Sequence, residues 1–211
     1  INEVLAQPNE PDNDGNRFRD WVELFNDSAS SVDLSGTSLT DNPIRSRKFV
    51  FPAGTTLGPG QFLVIEGGDG PDEAHPRLGF NFKSSGEAVH WFNTPEKGGR
   101  RIDSVTFGPQ LRGLSIGRVG NPRKDQWTLC WPTPKNPNHA RPIGGSGDLR
   151  IHRWLANPAP DGEDFVELFN PSPLPVPLGG LALTTRPYGD WAMHTIPPLA
   201  FISSRSALRL I

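Results

Sequence analysis

The seven residues Asp20-Trp21-Val22-Glu23-Leu24-Phe25-Asn26 return as Asp164-Phe165-Val166-Glu167-Leu168-Phe169-Asn170, with six of seven positions identical. Val22 and Leu24 alternate with Trp21, Glu23 and Phe25. That period of two places alternate side chains on opposite faces of a strand. A chain that spends one such strand twice is constrained to be a repeat, and a β repeat. Helical patterning offers no competing architecture. No window carries apolar residues at i, i+3, i+4 and i+7 over three turns, and prolines interrupt most stretches long enough to try. The 23 glycines and 23 prolines call for many tight turns, and no period-three glycine pattern makes them collagenous.

Short apolar or alternating runs bounded by Gly, Pro, Asn and Asp place strands near residues 1–7, 20–26, 31–34, 38–40, 48–51 and 61–66. Others fall near 88–92, 102–107, 114–118 and 127–131. Strands at this spacing suggest an antiparallel sandwich or barrel. The run Pro132-Thr133-Pro134-Lys135-Asn136-Pro137-Asn138 cannot enter a sheet interior, because proline has no N–H to give. The glycine-rich stretch 143–148 then reads as a flexible linker.

Beyond the linker the opening is replayed. Ile1–Ala6 matches Ile151–Ala156, and the first loop is then six residues shorter. Val32-Asp33-Leu34-Ser35-Gly36 matches Val176-Pro177-Leu178-Gly179-Gly180, Leu39-Thr40 matches Leu183-Thr184, and Phe51-Pro52 matches Ile196-Pro197. Phe62–Ile65 is set against Leu208–Ile211. The expected organisation is a β-sandwich over residues 1–142, a linker over 143–148 and the front half of a second sandwich over 149–211. A half sandwich leaves a sheet edge and an apolar face uncovered. The expectation is that the natural chain continues past Ile211, or else that another chain covers that face.

Charge and cysteine narrow the function classes. A net charge of −2 supplies no field favouring DNA or an acidic membrane. One cysteine forms no internal disulfide. No apolar run approaches the roughly 18 residues of a membrane helix. The chain opens at Ile1 without a signal peptide, as an excised or mature segment would.

Several stretches together resemble one family. In order they are Ile1-Asn2-Glu3-Val4, the Asp20–Asn26 strand, Val32–Gly36, Leu39-Thr40-Asp41 and Phe51–Gly60. Leu78-Gly79-Phe80, Ser84–Glu87, Ile102–Val105, Gly108-Pro109-Gln110, Ser115–Arg118 and Pro132-Thr133-Pro134 follow. Residues 1–142 resemble a lamin tail domain, the immunoglobulin-like module also found in bacterial surface and secreted proteins. Residues 149–211 resemble its front half, with Pro177 for Asp33 and Gly179 for Ser35. The resemblance implies an all-β fold of tandem immunoglobulin-like antiparallel sandwiches, the second truncated. It also implies a non-catalytic interaction, adhesion or spacer module at a bacterial surface or outside the cell. The expected partners are neighbouring domains of a parent protein or another protein. Alternatives are a carbohydrate-binding accessory domain or a nucleic-acid-binding module.

Gly113-Leu114-Ser115-Ile116-Gly117 fits a nucleophile elbow by letter. That elbow needs a helix after the serine, and Arg118-Val119-Gly120-Asn121-Pro122 cannot start one, so a plain strand is expected. No catalytic residue and no cofactor is assigned. Glu10, Asp12 and Asp14 before Gly15 are spaced as a calcium loop spaces its carboxylates, but Trp21 stands where the closing bidentate Glu belongs. A solvated turn rich in Asp and Asn is the favoured reading for them, with the shorter acidic turn Asp161-Gly162-Glu163-Asp164 in the second copy. Glu23 and Glu167 interrupt otherwise apolar strands. Either they are ligand groups, or they accept backbone or Arg hydrogen bonds that fix a strand pairing, and their repetition favours the second reading.

Basic clusters at Arg45/Arg47/Lys48, Arg100/Arg101 and Arg118/Arg123/Lys124 lack the basic excess of a phosphate-binding surface. His75, His90, His139, His152 and His194 are scattered, and Cys130 between Leu129 and Trp131 reads as a buried strand residue. Trp91, Trp127, Trp131, Trp154 and Trp191 would bind glycans only if they formed an exposed coplanar face.

Overall fold

The computed structural model describes residues 1–9, 19–68, 76–120, 126–156, 162–186, 188–189 and 193–210. The chain divides into two compact units, Ile1–Arg141 and Pro142–Ile211. Paired strands in both units run antiparallel, and the described residues contain no α-helix.

Unit 1 contains β1 (Glu3–Leu5), β2 (Trp21–Phe25), β3 (Val32–Asp33), β4 (Ser38–Thr40), β5 (Phe49–Val50) and β6 (Thr56–Leu57). It continues with β7 (Phe62–Glu66), β8 (Glu87–Phe92), β9 (Arg101–Phe107), β10 (Ser115–Arg118), β11 (Trp127–Trp131) and β12 (His139–Ala140). A six-stranded sheet runs β12-β11-β10-β1-β2-β7, a four-stranded sheet runs β5-β4-β8-β9, and β3 and β6 form a ribbon. This is an immunoglobulin-like sandwich. Register explains its core. Val4 lies opposite both Val22 and Ile116, Val22 opposite Ile65, and Ile116 opposite Leu129. The period of two sends this whole row to one face, and all five residues are buried. Leu39, Val89, Val105 and Phe107 supply the buried face of the four-stranded sheet.

Strands β4 and β11 have the bounds expected from sequence, and the others differ at their ends. Two short strands were not anticipated. β6 lies within a Gly- and Pro-rich stretch whose turn signals hide it. β12 directly follows Pro137-Asn138, and as an edge strand it tolerates that neighbour.

Unit 2 contains β13 (Arg150–Leu155), β14 (Phe165–Asn170), β15 (Val176–Pro177), β16 (Ala182–Leu183), β17 (His194–Thr195), β18 (Phe201–Ile202) and β19 (Ser206–Leu210). Its pairings β13-β14-β19, β15-β18 and β16-β17 repeat β1-β2-β7, β3-β6 and β4-β5. Loop hydrogen bonds repeat too. The Asn26 side chain donates to the Ser30 and Leu57 carbonyls, and Asn170 donates to those of Leu174 and Ser203. The Gly36 and Gly180 N–H groups reach the carbonyls of Phe51 and Ile196. Both glycines have positive φ, 71° and 82°, a backbone that disfavours any other residue. Leu168, Val176, Leu178, Ile196, Ala200 and Ile202 form the core of unit 2.

The structure corrects one sequence match. Leu63 faces Leu24, and Leu208 faces Leu168, so Phe62–Ile65 corresponds to Ala207–Leu210 rather than to Leu208–Ile211. A one-residue slip would have turned Leu208 to the other face of the sheet. The 143–148 stretch, expected as a flexible linker, holds a 3-10 turn at Ser146–Asp148, and the Gly144 N–H donates to the Pro175 carbonyl. Among the described residues, unit 2 has no counterparts of β8 to β12.

Candidate functional site

The polar side of the repeated strand is built differently in the two units. In unit 1, β1 and β2 pair so that Glu3 faces Glu23 across the strands, on the face away from the hydrophobic row. Neither carboxylate is exposed to solvent. The loop between β11 and β12 covers them. Oε1 of Glu3 accepts from the Ser115 hydroxyl at 2.5 Å and from the Thr133 N–H at 3.2 Å, and its Oε2 accepts from the Thr133 hydroxyl at 3.2 Å. Glu23 accepts from the Asn2 amide at 2.8 Å and from the Lys135 N–H at 2.6 Å. Asn138 donates to the carbonyls of Asn2 and Arg118. That approach requires Gly117, because a Cβ there would sit 2.6 Å from the Asn138 amide nitrogen.

Burial pushes the Glu3 carboxyl up to about 7. The Ser115 and Thr133 bonds oppose the rise, and the nearby Glu23 adds to it. Burial also raises Glu23, with the Lys135 and Asn2 bonds opposing. The cluster ties the proline-rich loop to the sheet through charged acceptors. It offers no open position for a substrate.

In unit 2 the same register pair is Arg153 and Glu167. The Arg153 guanidinium donates twice to the carboxylate, Nε to Oε1 at 2.8 Å and Nη2 to Oε2 at 2.9 Å. Those bonds hold Glu167 below the usual carboxylate range, and they raise Arg153 in turn. A two-carboxylate pair under a loop has become an ion pair whose arginine reaches solvent. Both glutamates therefore accept hydrogen bonds that fix a strand pairing. Glu3, which in the sequence belongs to the opening Ile1-Asn2-Glu3-Val4 motif, is Glu23's other half. Its signal was present: an acid beside Val4, aligned with Arg153 in the repeat.

The apolar side of unit 2 is open. Trp154 stands opposite Val166 as Val4 stands opposite Val22. Val4 is 1% exposed and Trp154 is 70% exposed. Ile151, Trp154 and Leu155 of β13, with Val166, Leu183 and Met193, line a groove of about 640 Å³. Its place is that of the unit 1 core, where β10 and the four-stranded sheet close over β1 and β2.

Other expected positions separate. Glu10, Asp12, Asp14 and Asp161 lie outside the described residues, as do His75, Arg123, Lys124 and Trp191. Among the described residues no three His, Cys, Asp or Glu side chains converge as metal ligands. Ser115 sits in strand β10, buried. Cys130 pairs with Ser115 across β10 and β11, and burial, aided by Glu3, pushes its thiol up to about 12. Tryptophan faces are spoken for within unit 1: Arg118 lies over Trp127, Arg141 lies over Trp131, and the Trp91 indole N–H donates to Thr37. Of the expected group, Trp154 and Trp131 are exposed among the described residues, at 70% and 44%. The basic groups also divide, with Lys48 paired to Asp41 and Arg118 to Asp103. No helix of the described residues is long and apolar enough to cross a membrane.

Comparison with known proteins gives one match. The family model for the Lamin Tail Domain covers residues 1–109, just over half of the chain. No curated protein and no solved structure matches.

Proposed function

The chain belongs to the lamin tail domain family, and from that premise we propose that it is an interaction module of a larger surface or secreted bacterial protein. Unit 1 is a closed sandwich suited to act as a spacer. Unit 2 presents an apolar groove that further chain of the parent protein or a partner covers. One observation carries this reading: a groove lined by Ile151, Trp154 and Leu155 stands open where the equivalent space in unit 1 is filled core. Contiguous apolar surface of that kind marks interaction sites. The lamin tail domain family is generally non-catalytic, and the chemistry of unit 1 is in keeping with that. Glu3, Glu23, Ser115 and Cys130 are all shut away from solvent, so no substrate can reach them. The partner is a neighbouring domain of the parent protein or another protein.

A test uses the environment-sensitive dye anilinonaphthalene sulfonate on the folded chain. The native protein should enhance its fluorescence, and Trp154→Glu should remove most of that enhancement with the circular dichroism spectrum unchanged. Enhancement that survives Trp154→Glu would place the apolar surface elsewhere and defeat the reading. Turnover by the native chain in a panel of ester, glycoside and phosphate substrates would overturn the non-catalytic assignment.

A further inference from the structure

We propose that the outer face of the four-stranded sheet in unit 1 binds an extended acidic segment of a partner protein, one that carries aliphatic residues among its acids. The proposal extends the interaction reading to unit 1 and uses none of the residues that line the unit 2 groove.

Two basic clusters far apart in the sequence meet on this face. Val50, Ser38, Phe92 and Arg101 form one row across β5, β4, β8 and β9. Leu39, the next residue along β4, points into the core, so the row faces outward. The segment after β4 folds back over the same face. The Thr40 hydroxyl donates to the Asn42 and Arg45 carbonyls, and the Ser38 hydroxyl donates to the Ser46 carbonyl. A 3-10 turn at Pro43–Arg45, capped by the Asn42 side chain, holds that fold-back in place. Arg45 and Arg47 therefore flank the residue that sits against Ser38. Arg101 starts two strands away, roughly 10 Å. Arg100 precedes it at the mouth of the β8–β9 turn, where its carbonyl accepts from the Asn93 N–H.

The local charge differs from that of the whole chain. Arg45, Arg47, Arg100 and Arg101 are exposed, and among the described residues none of them is ion-paired. Asp41 is tied to Lys48 at 2.5 Å. Glu96 lies beside Arg47; its own N–H and the Thr94 hydroxyl hold its carboxyl low, and Arg47 adds to that. Of these side chains five are cationic and two acidic. Such a surplus selects an anionic partner, and guanidinium forks match carboxylates two bonds at a time. Aliphatic side chains stand among the arginines, with Ile44 93% exposed and Val50 38% exposed. They favour a polypeptide. Glycans and unpaired bases stack on open aromatic faces, whereas the aromatic ring in this row, Phe92, is half-buried and tilted against His90.

The probe is a fluorescein-labelled peptide, Asp-Ile-Glu-Asp-Leu-Glu-Asp, titrated with the 211-residue chain and followed by anisotropy. Saturable binding that weakens with added salt is expected. The double variant Arg45→Glu/Arg101→Glu should bind about tenfold more weakly or worse with its melting temperature kept, and Ile44→Ser should cost about tenfold. Arg150→Glu, the same charge change at an exposed position of unit 2, should stay within about twofold of the native chain. Equal binding by the double variant, or no saturable binding by the native chain, overturns the proposal. Equal binding of a peptide with Ala for Ile and Leu overturns its aliphatic half. A heparin fragment or a DNA duplex that binds more tightly than the peptide, and is lost in the double variant, would make a different polyanion the occupant and overturn the protein partner. The full-length parent protein should bind the peptide as this chain does; loss of binding there would make the parent's own further sequence the occupant and overturn a separate partner. The unit 2 groove is tested independently, by the dye experiment with Trp154→Glu.

Discussion

Replacing Glu3 by Gln tests the buried carboxylate pair where its energetics are most exposed. Glu3 is fully buried, faces Glu23, and has its carboxyl raised from 4.5 to about 7. Its folded-state value lies above its unfolded one, so the folded chain holds the proton more tightly. The stability linked to that proton is fully present below pH 4.5 and is lost as pH rises to about 7, after which it changes no further. At about 1.4 kcal/mol per unit the shift corresponds to roughly 3 kcal/mol as an upper bound. Gln keeps the shape and an acceptor for Ser115 and Thr133, but it forfeits the charge-assisted part of those bonds, about 1 kcal/mol. Glu3→Gln should therefore be near neutral at pH 5 and stabilising by about 1–2 kcal/mol at pH 8. Urea unfolding followed by tryptophan fluorescence is the assay, since Trp21, Trp91, Trp127 and Trp131 all lie in unit 1. An equal effect of Glu3→Gln at both pH values, or a larger cost at pH 8 than at pH 5, would refute the reasoning.

Further outcomes follow from the same geometry. Asn26→Ala should cost about 1–3 kcal/mol, because it strands the Ser30 and Leu57 carbonyls near a buried turn, and thermal melting should register the loss. Leu24→Ala should cost about 2–5 kcal/mol by leaving a cavity in a filled core, whereas Trp154→Ala should change unfolding by less than about 0.5 kcal/mol. Equal costs in the urea titration would mean that Trp154 is packed. The Cys130 thiol, buried and raised to about 12, should resist iodoacetamide at pH 8 in the native chain and react once urea unfolds it. Rapid native labelling would contradict that placement.

The duplicated heptapeptide made the fold legible, because alternation and identity both survive in the string itself. Val22, Leu24 and their copies announce strands, and the Gly36 and Gly180 turns announce where the chain reverses. Short pairings such as β6 and β12 were hidden, since two residues carry no periodicity and lie among turn formers. The end of the repeat slipped by one position because Leu208 and Leu210 are both apolar, and only the register against Leu168 separates them. Glu23 and Glu167 were legible as a matched pair of acids, but their different partners were not. Asn2 and Lys135 lie 21 and 112 residues from Glu23, while Arg153 lies 14 residues from Glu167. The open groove was foreseeable as an uncovered face, whereas its lining depends on β16 and β17 meeting β13 in space.

Amide hydrogen exchange, read peptide by peptide under native conditions, tests most directly that one strand pair is closed in unit 1 and open in unit 2. β1 lies between β2 and β10, and β13 is paired with β14 alone. The amides of Glu3–Leu5 should exchange with the slowest class in unit 1. Those of Ile151–Leu155 should exchange faster than the β14 amides beside them. Protection of β13 equal to that of β14 in the chain alone would show that its edge is already covered and would contradict the account.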